Sequence, residues 1–387
     1  MAVVSIDVSA IASRWGGWRY PLAVGVLSRL LTLVVVAVVG LLRREPGQGI
    51  GSAMVAPFGG WDGIWYQRIA LYGYDPTVAH GNGVAFSPLF PELLRLTRDA
   101  LSVSLVVGGV LASTTCFLLA LILLHRLVSS ISGPTVARRI VWLVAFFPTA
   151  FLFSAVYTES LYLLLTVVTF VLLERRWLVA ACTAGTLAVL TRPTGIMLVP
   201  SLILRTWKDG GRRLGLPFVL RVIVIAVLPA VYIAFGAYLY FRTGDPFATQ
   251  SAQSAGWGRG ANLLLVLGLP VAVLNGAFVA THEVERISYI FDTAFAMTWA
   301  LLLIEGAWRR RLPGEYLLYG ALAVILPVFA GTYLALPRYG MGIFVVMWLA
   351  AIHVASRPRL MRFLYVAMPV SLVVTAIVVY GFGGYVP

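Results

Sequence analysis

Asp62 is the residue of this chain best placed to take a proton. It lies in the run Gly60-Trp61-Asp62-Gly63-Ile64-Trp65-Tyr66, in a sequence of 387 residues with only 15 carboxylates. A carboxylate flanked by indoles and partly screened from water can act as general base toward a hydroxyl held within hydrogen-bond reach. The same aspartate also suits the N-cap of a following helix, and the rings alone would fit an interfacial aromatic belt. Glu159 is a second carboxylate in an unusual place, the tight turn Tyr157-Thr158-Glu159-Ser160 between two apolar runs. The cost of a carboxylate at membrane depth makes it a candidate substrate contact, the alternative being a negative charge at a helix N-terminus. Arg192, in Thr191-Arg192-Pro193, and Arg338, in Leu336-Pro337-Arg338-Tyr339, supply forks that match phosphate oxygens bidentately. The alternative is that each pairs with Glu159 or reaches up to lipid headgroups.

Further polar and aromatic residues lie in these and other breaks between apolar runs. The stretch Thr243-Gly244-Asp245-Pro246-Phe247, followed by Gln253 and Trp257-Gly258-Arg259, puts amide, ring and guanidinium groups together as a sugar or lipid headgroup requires. Arg259 is a third candidate for a phosphate. Trp61, Tyr74, His80 and Tyr339 add rings and a polar contact for a substrate, although a loop histidine alone is more often simply solvated. No His/Cys/carboxylate group has zinc spacing and no glycine-rich nucleotide loop occurs. The expectation is therefore no cofactor and no metal requirement.

Composition decides what kind of chain carries these residues. It is 60% hydrophobic and 11% charged, which fits a polytopic membrane protein and not a water-soluble domain of this size. The net charge of +14 would suggest nucleic acid in a soluble protein. Here the arginines cluster between apolar runs as loop anchors do, so nucleic-acid binding is not expected. Lys208 is the sole lysine, a bias that reads as a high-GC bacterial genome. Cys116 and Cys182 lie inside apolar runs, where a thiol behaves as a small hydrophobe.

Apolar runs near spanning length occupy 20–42, 101–124, 139–157, 159–174, 177–191, 194–206, 217–241, 263–281, 287–308, 314–334, 339–355 and 363–382. Arg14 and Arg19 precede the first, which reads as a span and not as a cleaved signal. Pro193 and Gly195 divide the 177–206 stretch into two short helices. Basic loops at 126–139, 175–176, 205–213, 309–311 and 357–362 mark the cytoplasmic side. They agree with alternation if 263–281, with its Gly268-Leu269-Pro270, is a re-entrant hairpin within an outer segment 242–286. The fold expected is a single all-α domain over 1–387, with about eleven transmembrane helices by these rules. Its N-terminus is inside and a long first outer loop covers 43–100. Arg43 and Arg44 fall on the outer side and count against this arrangement. All the polar constellations above then share the outer face, where charged groups at membrane depth mark a site.

Six motifs occur in order: Trp61-Asp62, Gly73-Tyr74, Phe86-x-Pro88-x-Phe90-Pro91, Phe153-Ser154-x-x-Tyr157-x-Glu159-Ser160, Thr191-Arg192-Pro193-x-Gly195 and Pro337-Arg338-Tyr339. Together, over about 60 to 355, they resemble the PIG-V-type mannosyltransferases. The resemblance implies a GT-C-type glycosyltransferase bundle, a polyprenyl-phosphate-mannose donor and an active site on the extracytoplasmic side. It also implies an acidic residue of the first outer loop as base, and Asp62 is the matching position. The function expected is inverting transfer of mannose to a lipid or glycan acceptor at the outer face of a bacterial plasma membrane. Membrane lipids are the surroundings and the chain acts as a monomer. The rivals are a polyprenyl-phosphate-arabinose transferase and a lipid or solute transporter or flippase, although no internal repeat of the transporter kind is evident.

Overall fold

The computed structural model describes residues 17–75, 82–258, 283–329 and 336–383, and every regular element among them is helical. In chain order these are α1 (Arg19–Leu42), α2 (Ile50–Val55), α3 (Asp62–Tyr72), α4 (Leu89–Leu101), α5 (Leu105–Ser132) and α6 (Pro134–Ala145). After them come α7 (Glu159–Glu174), α8 (Leu178–Thr191), α9 (Leu198–Asp209), α10 (Leu216–Ile225), α11 (Val227–Thr243) and α12 (Ala248–Trp257). The last five are α13 (Glu283–Trp308), α14 (Gly314–Phe329), α15 (Leu336–Gly342), α16 (Phe344–Ala355) and α17 (Pro358–Phe382).

Four stretches are long and apolar enough to cross a membrane: Arg19–Leu42, Leu105–Ser132, Leu216–Thr243 and Pro358–Phe382. Shorter apolar helices, among them Leu178–Thr191 and Phe344–Ala355, accompany them. In hydrocarbon every backbone polar group needs an internal partner, and a helix supplies it. With this composition, the result is a multi-pass membrane protein.

The structure revises several sequence boundaries. The 43–100 segment is not an open loop, because α2, α3 and α4 build a helical layer there. The run 139–157 is not one helix. α6 stops at Ala145, ahead of Pro148, and the chain continues through a 3-10 turn at Ala150–Ser154. The 177–206 stretch divides as expected, into α8 and α9 joined by the 3-10 turn Pro193–Met197. The run 217–241 breaks at Ala226, where the ring of Pro229 would collide with the carbonyl of Ile225 in a continuous helix. The proposed hairpin at 263–281 lies outside the described residues, as do His80 and Arg259.

The core sits where α5, α7 and α16 meet α6 and α14. Phe117 stacks on Phe153 at 4.4 Å, and Phe170 stacks on Tyr316 at 4.5 Å. Arg29 of α1 is buried in this interior, where its guanidinium donates to the carbonyls of Ala145 and Ala150 at 3.1 and 2.5 Å and lies over Phe117. It satisfies carbonyls left without partners where α6 ends. This arginine stabilises the fold and stands apart from the site.

Candidate active site

The α6–α7 connection carries Tyr157, Thr158 and Glu159 into the interior. Glu159 opens α7 and is completely buried, at the positive end of that helix. Arg192 stands at the break between α8 and the next turn, with extended backbone that turns its side chain toward Glu159. That turn folds back closely on α8: a Cβ on Gly195 would come within 2.6 Å of the Val189 nitrogen. Arg338 comes from α15, which lies directly on the Trp299 ring at Gly340.

These side chains form one relay. Arg192 Nη2 lies 2.9 Å from Glu159 Oε1, and Arg338 Nε lies 2.5 Å from the same oxygen. Arg338 Nη2 reaches Asp62 Oδ2 at 2.6 Å. Two cations and two carboxylates, from four separate parts of the chain, therefore share one buried chain of contacts. Tyrosines flank it. The Arg338 guanidinium lies 4.6 Å from the Tyr157 ring, and that of Arg192 lies 5.1 Å from Tyr339 and 6.0 Å from Tyr162. A cation desolvated over an aromatic face gains electrostatically.

Asp62 is the first residue of α3 and not its cap; its carboxylate turns to Arg338 instead. The preceding Trp61 has φ +48°, which is rare for a residue with a side chain and costs of order 1–3 kcal/mol. The Trp61 ring is held 5.4 Å from Tyr380. The backbone N–H of Asp62 donates to the Tyr157 hydroxyl at 3.3 Å. Tyr157 thus supports both ends of the ion pair, the Arg338 guanidinium with its ring and the Asp62 backbone with its hydroxyl.

A cavity of about 910 Å³ opens over this relay. Asp62, Arg192 and Arg338 form its charged floor with Tyr66, and Tyr339 stands beside them. One wall is α12, fastened to the 3-10 turn Asn82–Ala85. Thr249 Oγ1 donates to the Val84 carbonyl at 3.1 Å, and Gln253 Nε2 to that of Ala85 at 3.2 Å. Trp257 closes the same wall edge-on to Phe86 at 5.4 Å. The opposite wall is apolar, with Ile196, Met197, Leu326 and Pro327. A polar floor with one aromatic and one aliphatic wall suits an amphiphile with a charged head.

Of the residues expected from sequence, Asp62, Arg192, Arg338, Gln253, Trp257 and Tyr339 are brought together at this cavity. Glu159 lies beneath it and touches the arginines, not the open space. Tyr74 is buried elsewhere: its hydroxyl donates to the Phe86 carbonyl at 2.8 Å and shapes the 82–85 turn from behind. Trp61 likewise supports the cavity from outside. Sequence reading missed Tyr66, Tyr157 and Tyr162. Tyr66 is one helical turn from Asp62, a spacing that shares a face, and Tyr157 lies two residues before Glu159 in a motif already noted. Among the described residues no three His, Cys, Asp or Glu lie close enough to hold a metal ion.

Spanning helices around a charge-lined cavity define a polytopic membrane protein with a polar site within its helical bundle. A family model described as Mannosyltransferase (PIG-V) matches residues 50–243, a region that supplies Asp62, Glu159 and Arg192. The chain belongs to the PIG-V mannosyltransferase family. It is 33% identical over 187 residues to GPI mannosyltransferase 2 from each of two strains of Cryptococcus neoformans, JEC21 and B-3501A. Each match spans 44% of this chain and only 42% of the curated relative's length. Among solved structures, the apo form of the Archaeoglobus fulgidus oligosaccharyltransferase is similar with TM-score 0.46 and 16% identity, over 92% of this chain and 55% of that one. The same archaeal enzyme in complex with an inhibitory peptide and a dolichol-phosphate gives TM-score 0.47 and 14% identity, over 95% and 56%. No residue role is carried over from either.

Proposed function

We propose that this protein is a GT-C-type mannosyltransferase that moves mannose from a polyprenyl-phosphate-mannose donor to a hydroxyl of a lipid or glycan acceptor. The observation that supports it most is the junction of a carboxylate and two arginines at the floor of one cavity with a lipid-compatible wall. The acceptor oxygen attacks the anomeric carbon while Asp62 takes its proton. The bond from that carbon to the phosphate oxygen breaks, and the electron pair leaves with the lipid phosphate toward Arg192 and Arg338. A single base and direct displacement invert the anomeric centre, by analogy with the two-carboxylate logic of glycosidases.

Arg338 has a further part in this scheme. It bonds Asp62, and an entering phosphate competes for the same guanidinium. Donor binding then draws Arg338 from Asp62 and leaves the carboxylate available for the acceptor proton. Glu159 holds both arginines from below. Gln253, Trp257 and Tyr339 are placed to touch sugar or headgroup.

The chain would work as a monomer in a bacterial plasma membrane, with about eleven crossings by the length and charge rules and the cavity on the extracytoplasmic side. Arg259 and His80 remain candidates for donor phosphate and substrate contacts. The test is transfer by the purified protein with labelled polyprenyl-phosphate-mannose and, in parallel, polyprenyl-phosphate-arabinose. Product from mannose alone supports the proposal. Product from arabinose alone replaces the donor with a pentose, and binding without product from either overturns the transferase reading in favour of transport.

A further inference from the structure

The end of the bundle away from the cavity handles its charge in two ways. Around the C-terminal end of α7, Arg205 bonds Glu174 at 2.8 Å, Asp209 at 3.1 Å and Glu315 at 3.2 Å, and Lys208 bonds Glu315 at 2.6 Å. Those cations have carboxylate partners within the chain. The ends of α1, α5, α6 and α17 carry Arg19, Arg126, Arg138, Arg139, Arg359 and Arg362, yet these helices contain no Asp or Glu anywhere along their lengths. Anionic lipid headgroups are the natural counter-charge for such a basic patch.

A buried side chain gives this patch a definite centre. His125 of α5 is only 7% exposed, and neither of its ring nitrogens has a hydrogen-bond partner among the described residues. Buried polar groups are nearly always paired, so an imidazole left in this way calls for an explanation. Its ring lies 6.1 Å from that of Tyr20. The Tyr20 hydroxyl donates to the Arg138 carbonyl at 3.1 Å, and the Arg138 guanidinium lies 5.9 Å from the Tyr20 ring. Tyr20 therefore joins the unpartnered histidine to an exposed arginine. Trp142, one turn beyond Arg138 on α6, has an unpartnered Nε1 as well and packs edge-on to Tyr365 at 4.9 Å.

The location separates this cluster from the cavity. Ser113 of α5 donates to the carbonyl of Tyr157, the residue whose hydroxyl meets the Asp62 backbone. His125 is three and a third turns further along α5, about 18 Å away at 1.5 Å per residue. α17 also presents an open apolar face, with Phe363 66%, Val366 67% and Val370 54% exposed.

We propose that Tyr20, His125, Arg138 and Trp142 form a binding site for the phosphate of an anionic membrane phospholipid. His125 and Trp142 would supply N–H donors and Arg138 the opposite charge, and the acyl chains would lie along Phe363, Val366 and Val370. The exposed apolar flank favours a phospholipid over free phosphate, which would have no use for it.

The test uses the purified full-length chain in neutral phosphatidylcholine micelles. Added phosphatidylglycerol should raise Tm by about 3 °C or more at saturation, and inorganic phosphate should leave it unchanged. Arg138→Gln, at an exposed position, and His125→Leu should each remove most of that shift, whatever their own starting Tm. Arg309→Gln, on α13, should keep it. An equal phosphatidylglycerol shift in the parent and both site variants would overturn the proposal, leaving only diffuse attraction to a basic surface. A shift produced by inorganic phosphate would overturn the lipid assignment.

Discussion

Arg338→Lys keeps the charge of the relay and removes its geometry. Arg338 uses two different nitrogens, Nε to Glu159 at 2.5 Å and Nη2 to Asp62 at 2.6 Å, with the side chain only 8% exposed. A lysine has a single ammonium head on a flexible stem and cannot hold Glu159 and a phosphate in the same fixed plane. At least one charge-assisted contact is lost. Such a contact contributes roughly 1.5–3 kcal/mol, which corresponds to about 10- to 150-fold at 1.4 kcal/mol per tenfold. The affinity for polyprenyl-phosphate-mannose should therefore fall by at least about tenfold, with transfer falling alongside it. The assay is equilibrium binding of labelled donor to detergent-purified protein, with Tm measured in the same samples to confirm folding. Arg192→Lys, measured alongside, should show the same kind of loss. If both folded lysine variants bind and transfer like the parent, the arginines are structural anchors and the phosphate site lies elsewhere.

Three other outcomes follow from the same geometry. Tyr157→Phe keeps the ring under Arg338 but removes the acceptor of the Asp62 N–H; kcat should fall by about 2- to 10-fold with donor KM unchanged, the equivalent of one neutral hydrogen bond. An unchanged rate would remove Tyr157 from the positioning of Asp62. Glu159→Gln leaves two buried guanidinium groups with one carboxylate between them, and breaking a buried pair costs about 3–5 kcal/mol; a thermal melt should show a clear drop, and a Tm equal to the parent's would contradict the relay. For orientation, single cysteines placed at 251 and 253 in a background without Cys116 and Cys182 should label from outside, and those at 138, 212 and 310 from inside. Outside labelling at 310 would reverse the sidedness.

Much of this was legible in the sequence because hydrocarbon penalises charge. In a chain so poor in carboxylates, Asp62 and Glu159 stood out by being present at all, and Arg192 and Arg338 by lying against prolines at breaks between apolar runs. What could not be read was how these charges divide their partners. The sequence left each arginine a choice between phosphate and Glu159, and in the structure both take the same oxygen of Glu159. That choice depends on packing: the fold of the 193–197 turn onto α8 at Gly195, and the seat of α15 on Trp299. The helical layer within 43–100 was hidden for a related reason. α4 has a polar face that breaks the apolar run, so a search for spanning length passes over it. Tyr74 showed the opposite failure, since an aromatic beside a site and one supporting it from behind look the same in sequence.

Asp62→Asn is the most direct test of the central claim, because it keeps the shape of the side chain and removes its ability to take a proton. The measurement is the initial rate of transfer from labelled polyprenyl-phosphate-mannose, with donor binding followed in the same preparation. A general base contributes roughly 10²–10⁴-fold, so the rate should fall to about a hundredth or less while donor still binds. A folded Asp62→Asn protein that retains more than about a tenth of the parent rate would contradict the role of Asp62 as the base.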